Sequence, residues 1–202
     1  MSLTPGYFDR MYASSPDPWG FASRWYEARK YAISLALLPA EHYGDAFEPG
    51  CSIGVLTSLL APRCDRLLSC DAAAAAVSAA ASRTAALPQV TVQRRVLPQD
   101  WPAGDFDLIV FSELLYYFSA ADLRQLLDLG AAALRPGGSL LAVHWRHPVA
   151  DYPASGDEVH RALAGCAGLT RLVDHREPDF RAEVFVRADG EPVSVAQAEG
   201  LT

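Results

Sequence analysis

Basic residues are scarce in this sequence, and so is everything that depends on them. Seventeen Lys and Arg face 24 Asp and Glu, a formal charge of −7 with an isoelectric point near 5.1. The longest basic cluster is Arg94-Arg95, and phosphate backbones are held by Lys/Arg clusters, so a nucleic-acid partner is disfavoured. There is no apolar run of about 18 residues, hence no expected membrane span. The opening "MSLTPGYFDRMY" lacks the basic and apolar regions of a secretory signal. The four cysteines, Cys51, Cys64, Cys70 and Cys166, are irregularly spaced with no C-x-x-C. Neither a metal site nor a disulfide framework is expected, and reduced thiols in a cytoplasmic protein are the plain reading.

What is present is an ordinary globular composition, half hydrophobic and one-fifth charged over 202 residues. That length supports one substantial core, so a single domain is expected. No repeat or linker divides it. The alanine-rich run Asp71–Leu87 reads as helix, because alanine is the best helix former.

From Asp45 onward, short apolar runs alternate with helical stretches. Strands are expected near Asp45–Glu48, Arg66–Asp71, Val90–Val96, Phe106–Ser112 and Ser139–His144. Helices are expected around Val55–Ala61, Ala72–Ala86 and Ala120–Leu134, the last closed by Pro136-Gly137-Gly138. "FDLIVFS" is apolar on both faces, as a central parallel strand would be. The alternation implies an α/β, doubly wound, mostly parallel sheet. After Trp145 a short helix near Gly156–Gly165 precedes "LTRLVDHR" and "AEVFVRA". Only Glu177-Pro178-Asp179 separates those two strands, too little for a helical crossover, so they should pair antiparallel. The segment before residue 43 is mostly helical and placed either to cover the sheet edge or to close over a site, a candidate lid (1–42) on the core (43–202).

"FEPGCSIG" carries the first chemistry. In a strand–loop–helix unit, Gly50 lets the chain turn, while Gly54 permits close packing or ligand approach. Amides opening the following helix favour acceptor groups. No Lys-Ser/Thr follows, which excludes the phosphate-cradling P-loop, and the G-x-x-x-G spacing misses the dinucleotide fingerprint. Glu48, at the strand end, would repel pyrophosphate but suit an ammonium or sulfonium. Asp71 ends the second strand, where an acid can accept both hydroxyls of a ribose; it is equally placed to cap the alanine helix. An adenosine ribose at Asp71 and a charged tail near Glu48 describe S-adenosyl-L-methionine.

The segments "FEPGCSIGVLTSLLA", "LLSCD", "FDLIVFSELLYYF" and "LRPGGSLLAVHW" together resemble the successive motifs of class I S-adenosylmethionine-dependent methyltransferases. More narrowly, "FDRMYASSPDPWGF…YEARKYA", "GCSIGVLT", "SELLYYF" and "YPASGDEVH" are similar to the NodS-like group, related to the nodulation N-methyltransferase that acts on the free amine of a chitin-derived oligosaccharide. The resemblance implies a Rossmann-like sheet of the seven-stranded methyltransferase type, an antiparallel C-terminal strand and a monomer or homodimer. It implies a cofactor site of Glu48, Gly50, Cys51, Ser52, Gly54, Asp71 and Ser112. Such proteins tend to carry an acid near the adenine where this chain has Val96, so the backbone of Val96 and Leu97 is expected there instead. Pro49 also removes one amide from the glycine loop.

For catalysis the candidates are Glu113, Tyr116 and His144. Glu113 is placed to contact the methionyl end or an acceptor amine, or to be a solvated carboxylate at a helix start. His144 follows the fifth strand, as a proton acceptor or a structural hydrogen-bonder; His160 is weaker. The absence of N/D-P-P-Y argues against nucleobase or glutamine acceptors. Aromatics (Trp19, Phe21, Trp25, Tyr26, Tyr116, Tyr117, Trp145, Tyr152) crowd the expected mouth, with Asp17, Asp157 and Glu158 as acids for an amino group and Lys30 for the cofactor's carboxylate. Alternatively, Trp19 to Tyr31 is an amphipathic helix burying its apolar face. The expected acceptor is the free amine of an amino sugar or a similar small molecule. An O-methyltransferase, a nicotinamide-dependent reductase and a non-catalytic module are the rival readings.

Overall fold

A computed structural model describes residues 1–188 and 190–202. Two helices come first, α1 (Pro5–Ser14) and α2 (Trp25–Leu37). Then follow β1 (Tyr43–Pro49), α3 (Val55–Leu60), β2 (Cys64–Asp71), α4 (Ala74–Arg83) and β3 (Val90–Arg94). The second half holds β4 (Phe106–Ser112), α5 (Ala120–Ala133), β5 (Leu134–Trp145), α6 (Gly156–Ala164), β6 (Leu169–Arg176), β7 (Phe180–Arg187) and a last turn of helix, α7 (Val195–Ala198).

The sheet order is β3-β2-β1-β4-β5-β7-β6. Every neighbouring pair from β3 to β5 is parallel, and β7 runs antiparallel to both β5 and β6. The order reverses between β1 and β4, so the carboxyl ends of these two strands diverge and open a crevice. The two faces separate by alternation. Along β4, Leu108 and Val110 join the core shared with α2 and α3, while Ile109 and Phe111 join the core under α5 and α6. All four are fully buried, which is why this strand reads as unbroken apolar sequence.

Two expectations are corrected. The helix before β5 ends at Ala133, and Leu134 already pairs with Phe106. Pro136-Gly137-Gly138 therefore lies inside the strand, at an irregularity in register between Phe106 and Leu108. The third strand stops at Arg94 rather than Val96. The N-terminal segment fills both expected roles. α2 covers the sheet, its Tyr31 sharing a core with Leu56, Leu60 and Val184 and also lining the crevice; α1 and the turns at 16–23 lie over the crevice. Tyr12 and Phe8 of α1 rest on Ile53 and Ala76, and Tyr12 Oη meets Ser52 Oγ at 2.6 Å.

Candidate active site

Two cavities open at the carboxyl ends of β1 and β4, and they meet at Glu113. The first is walled by Gly50–Ile53, Asp71, Arg95–Leu97 and Ser112, and is roofed by Phe8, Tyr12 and Trp19. Counted out to its open mouth, it encloses about 990 Å³ not filled by protein atoms. The second is walled by Trp19, Phe21, Tyr26, Tyr116, Tyr117, Trp145 and Tyr152, and carries three carboxylates (Glu27, Glu113, Asp179) against two cations (Arg24, Lys30).

Local backbone chemistry shapes the first cavity. Gly50 has φ +76°, and a β-carbon there would lie 2.8 Å from Leu114 Cδ1. Gly54 also takes a left-handed conformation, but its constraint is different: a β-carbon would meet Ala80 Cα at 2.9 Å. Gly54 thus lets α3 and α4 approach, and it does not wall the cavity. Four of the loop's five amides are already paired. Gly50 and Cys51 N–H donate to Cys70 O (2.7 and 2.9 Å), Gly54 N–H donates to Cys51 O, and Ser52 N–H donates to Asp71 Oδ2 at 3.0 Å. The loop therefore contributes shape and close approach, and Ile53 N–H is its one amide without a partner among the described residues.

Asp71 also accepts from Ala73 N–H at 2.9 Å. It does not cap α4, whose N-cap is Ala73 without a side-chain cap; an ionised carboxylate has about four acceptor sites and two are used, so capacity for a ribose remains. Burial raises its pKa, against the pull of these amides. Glu48 is 2 % exposed, and its Oε2 accepts from Thr57 Oγ1 (2.6 Å) and Ser69 Oγ (2.9 Å). Burial pushes it up to about 7, while Oε1 accepts no hydrogen bond from the described residues. At the far wall, Val96 N–H donates to Asp100 Oδ2 and Val96 O accepts from Asp100 N–H. The neighbouring Leu97 N–H has no partner among the described residues. These groups fit an adenosyl sulfonium ligand: a ribose-accepting acid at Asp71, an acceptor for an ammonium at Glu48, and a lone amide at Leu97 for a heterocycle acceptor.

Glu113 holds the junction. Its φ is +52°, unusual for a residue with a side chain. Its N–H donates to Val143 O. Oε1 accepts from Lys30 Nζ at 2.6 Å; Oε2 accepts from Tyr116 Oη and from Trp145 N–H at 3.0 Å. Strain of this kind collects at functional sites. Lys30 is 2 % exposed and bridges Glu113 to Glu27. Burial would strip its proton, but the two carboxylates outweigh this and hold its pKa above the ordinary value. Lys30 is thus committed within the second cavity and is not on the wall of the first.

His144 lies elsewhere. It is fully buried, walls neither cavity, and its Nε2 accepts from Leu115 N–H at 3.2 Å. That bond fixes the tautomer: Nδ1–H donates to His160 Nε2 (3.2 Å), and His160 Nδ1–H donates to Glu183 (2.5 Å). Arg171 and Arg181 anchor Glu183. Burial, then His160, holds the His144 pKa well below the usual imidazole value. This chain of bonds pins the 3₁₀ turn Leu115–Tyr117 beside Glu113, and it offers no proton acceptor to either cavity.

The three acids expected for an amine are local struts. Asp17 accepts from Phe21 and Ala22 N–H, Asp157 pairs with Arg146, and Glu158 completes a capping box with Ser155. Trp25 is 77 % exposed and walls neither cavity. The acid missed by the sequence reading is Glu27. Its signal was there: Glu27, Lys30, Tyr31, Ser34 and Leu38 recur at helical spacing on the buried face, so two charges stand where apolar residues belong.

With this geometry in place, comparison with known proteins is informative. The family model described as Nodulation protein S (NodS) matches residues 9–151. Nodulation protein S of Bradyrhizobium diazoefficiens is 32 % identical over 119 residues, 57 % of this chain and 54 % of that protein. The chain spans little more than half the length of the curated relatives it matches. Among solved structures, the N-methyltransferase NodS of Bradyrhizobium japonicum in complex with S-adenosyl-L-homocysteine superposes with TM-score 0.81 at 27 % identity, over 90 % of this chain and 97 % of that one. A Pseudomonas syringae protein, provisionally named a methyltransferase, is 49 % identical with TM-score 0.73, over 81 % of this chain and all of its own.

Proposed function

The chain belongs to the NodS family, and from that premise we propose that it is an S-adenosylmethionine-dependent N-methyltransferase whose acceptor is the free amine of an amino sugar or a similar small molecule. One observation carries the reading. An adenosyl-suited cavity and an aromatic, carboxylate-rich cavity share the walls Trp19, Phe21, Glu113 and Tyr117, of which Glu113 is the charged one. A donor in one and an amine in the other would meet there.

When bound, S-adenosylmethionine supplies a methyl group on an already activated sulfonium. The protein's work is alignment. Asp71 and Leu97 N–H hold the nucleoside, Glu48 faces the methionyl ammonium, and the glycine loop brings the backbone close. Such positioning is worth on the order of 7–11 kcal/mol of barrier. A general base adds about 10²–10⁴-fold, at most about 5 kcal/mol, and an amine that is partly neutral needs the low end. Alignment dominates. Aromatic walls suit the apolar faces of a sugar ring, while the excess of carboxylates suits its ammonium. The sealed His144 favours an amine over a hydroxyl acceptor, which would need a stronger base in the cavity.

Mass spectrometry with isotopically labelled methyl donor, across amino sugars, simple amines and phenols, tests the proposal. One added labelled methyl on a free amine is the expected result; transfer to phenols alone would replace the reading with O-methylation.

A further inference from the structure

Glu113 and Glu27 share the one ammonium of Lys30, and they share it unequally. Glu113 is saturated, since both of its oxygens accept directed hydrogen bonds. Glu27 is 6 % exposed and has only Lys30. Its Oε1 accepts from Nζ at 3.2 Å; Oε2 lies 2.9 Å from the same nitrogen but off the bonding direction, and receives no hydrogen bond. Beside it, the buried Tyr26 Oη also has no partner. An orphaned carboxylate oxygen and an orphaned hydroxyl on one cavity wall cost free energy unless something fills them. Two buried carboxylates on one cation leave a negative charge uncompensated. What completes the set is a second cation with several N–H donors.

We propose that Glu27 receives the ammonium of the acceptor and takes one of its protons. This deepens the amine-methylation reading and rests on it. An N–H bond of the substrate breaks, its electron pair stays on nitrogen, and the proton forms an O–H bond at Glu27 Oε2. The freed lone pair is the nucleophile that faces Glu113 and the neighbouring cavity. The proton then leaves to solvent at the mouth, beside exposed Arg24. The charged groups facing Glu27 are Lys30, Glu113 and Arg24. Burial lifts its pKa above the ordinary carboxylate value, partly offset by Lys30, which makes it a stronger base than a solvated carboxylate.

The test uses the full chain saturated with S-adenosylhomocysteine, titrated at slightly acidic pH with glucosamine and, separately, with N-acetylglucosamine, two rings that differ in whether the nitrogen is charged. Wild type should prefer glucosamine by roughly 10–100-fold, the value of a hydrogen bond to a charged group. Glu27→Gln should erase that preference, Glu27→Asp should keep part of it, and both variants should bind S-adenosylhomocysteine as wild type does. Equal preference in wild type and Glu27→Gln, or none in wild type, overturns the ammonium site. Turnover separates the two claims. A wild type that prefers glucosamine but methylates no amine overturns the amine-methylation reading and the proton transfer with it, while upholding the ammonium site. A Glu27→Gln enzyme with unchanged kcat overturns the proton transfer alone.

Discussion

The two cavities on either side of Glu113 are built by different means. The first is made of backbone: a left-handed glycine, a loop most of whose amides bond inward, and strand ends that diverge because the sheet order reverses. The second is made of side chains from distant segments, with Lys30 on α2 tying Glu27 to Glu113 and the aromatics closing around them. A backbone site accepts variation in its neighbours but fails when its own conformation is denied. A side-chain site fails when one member of its charge network is removed. The comparison predicts separable damage.

The largest effect should come from Lys30→Met. Two buried carboxylates would then face each other without their cation, and breaking a buried pair this way costs about 3–5 kcal/mol. For a chain of this size that is a fall in Tm of about 6–20 °C, read by thermal unfolding. A stability within about 0.5 kcal/mol of wild type would mean that the network is ornamental. Gly50→Val should do the reverse. A β-branched residue is strained at φ +76° and crowds Leu114, so S-adenosylhomocysteine should bind on the order of 100-fold more weakly, about 2.7 kcal/mol, with the Lys30 network intact. Calorimetry showing normal affinity would dissolve the assignment of the glycine loop.

This division also explains what the sequence could reveal. Strand–helix alternation, the apolar β4, the glycine loop and Asp71 are local patterns, and each is in its expected place. The short Glu177-Pro178-Asp179 connection marked the antiparallel β6–β7 pair for the same reason. The second cavity depends on contacts far apart in sequence. His144 looked catalytic because it ends a strand on the ligand side, yet strand position does not say which way a ring is buried; His160 and Glu183 decide that. Asp157 and Glu158 looked available because partners such as Arg146 are invisible before folding. Glu27 was legible only as a charge on the wrong face of α2, a conflict between local pattern and fold of the sort that marks functional positions.

A smaller effect sharpens the boundary between the cavities. Tyr116→Phe removes one donor to Glu113 without touching Lys30. The loss of one charge-assisted hydrogen bond, about 1.5 kcal/mol, should reduce kcat roughly tenfold and leave affinity for S-adenosylhomocysteine unchanged in the same preparation. An equal loss in both would place Tyr116 in cofactor binding instead.

A further contrast is the pH dependence set by Glu48. Burial raises its pKa from 4.5 to about 7, so ionisation costs the folded state more than the unfolded one. The penalty is absent below about pH 4.5, grows between pH 4.5 and 7, and is complete above. Glu48→Gln should therefore raise Tm relative to wild type on the alkaline side of that window and have little effect on the acid side. It should also weaken S-adenosylmethionine binding most where wild-type Glu48 is ionised. A Tm difference independent of pH would show that Glu48 does not titrate in this window.

The most direct measurement is a crystal structure of the chain with S-adenosylhomocysteine. The account predicts ribose hydroxyls on Asp71, the adenine edge at Leu97 N–H and the homocysteine ammonium at Glu48, with sulfur directed toward Glu113. A ligand seated anywhere else, or α1 packed into the crevice so that none can enter, would contradict it.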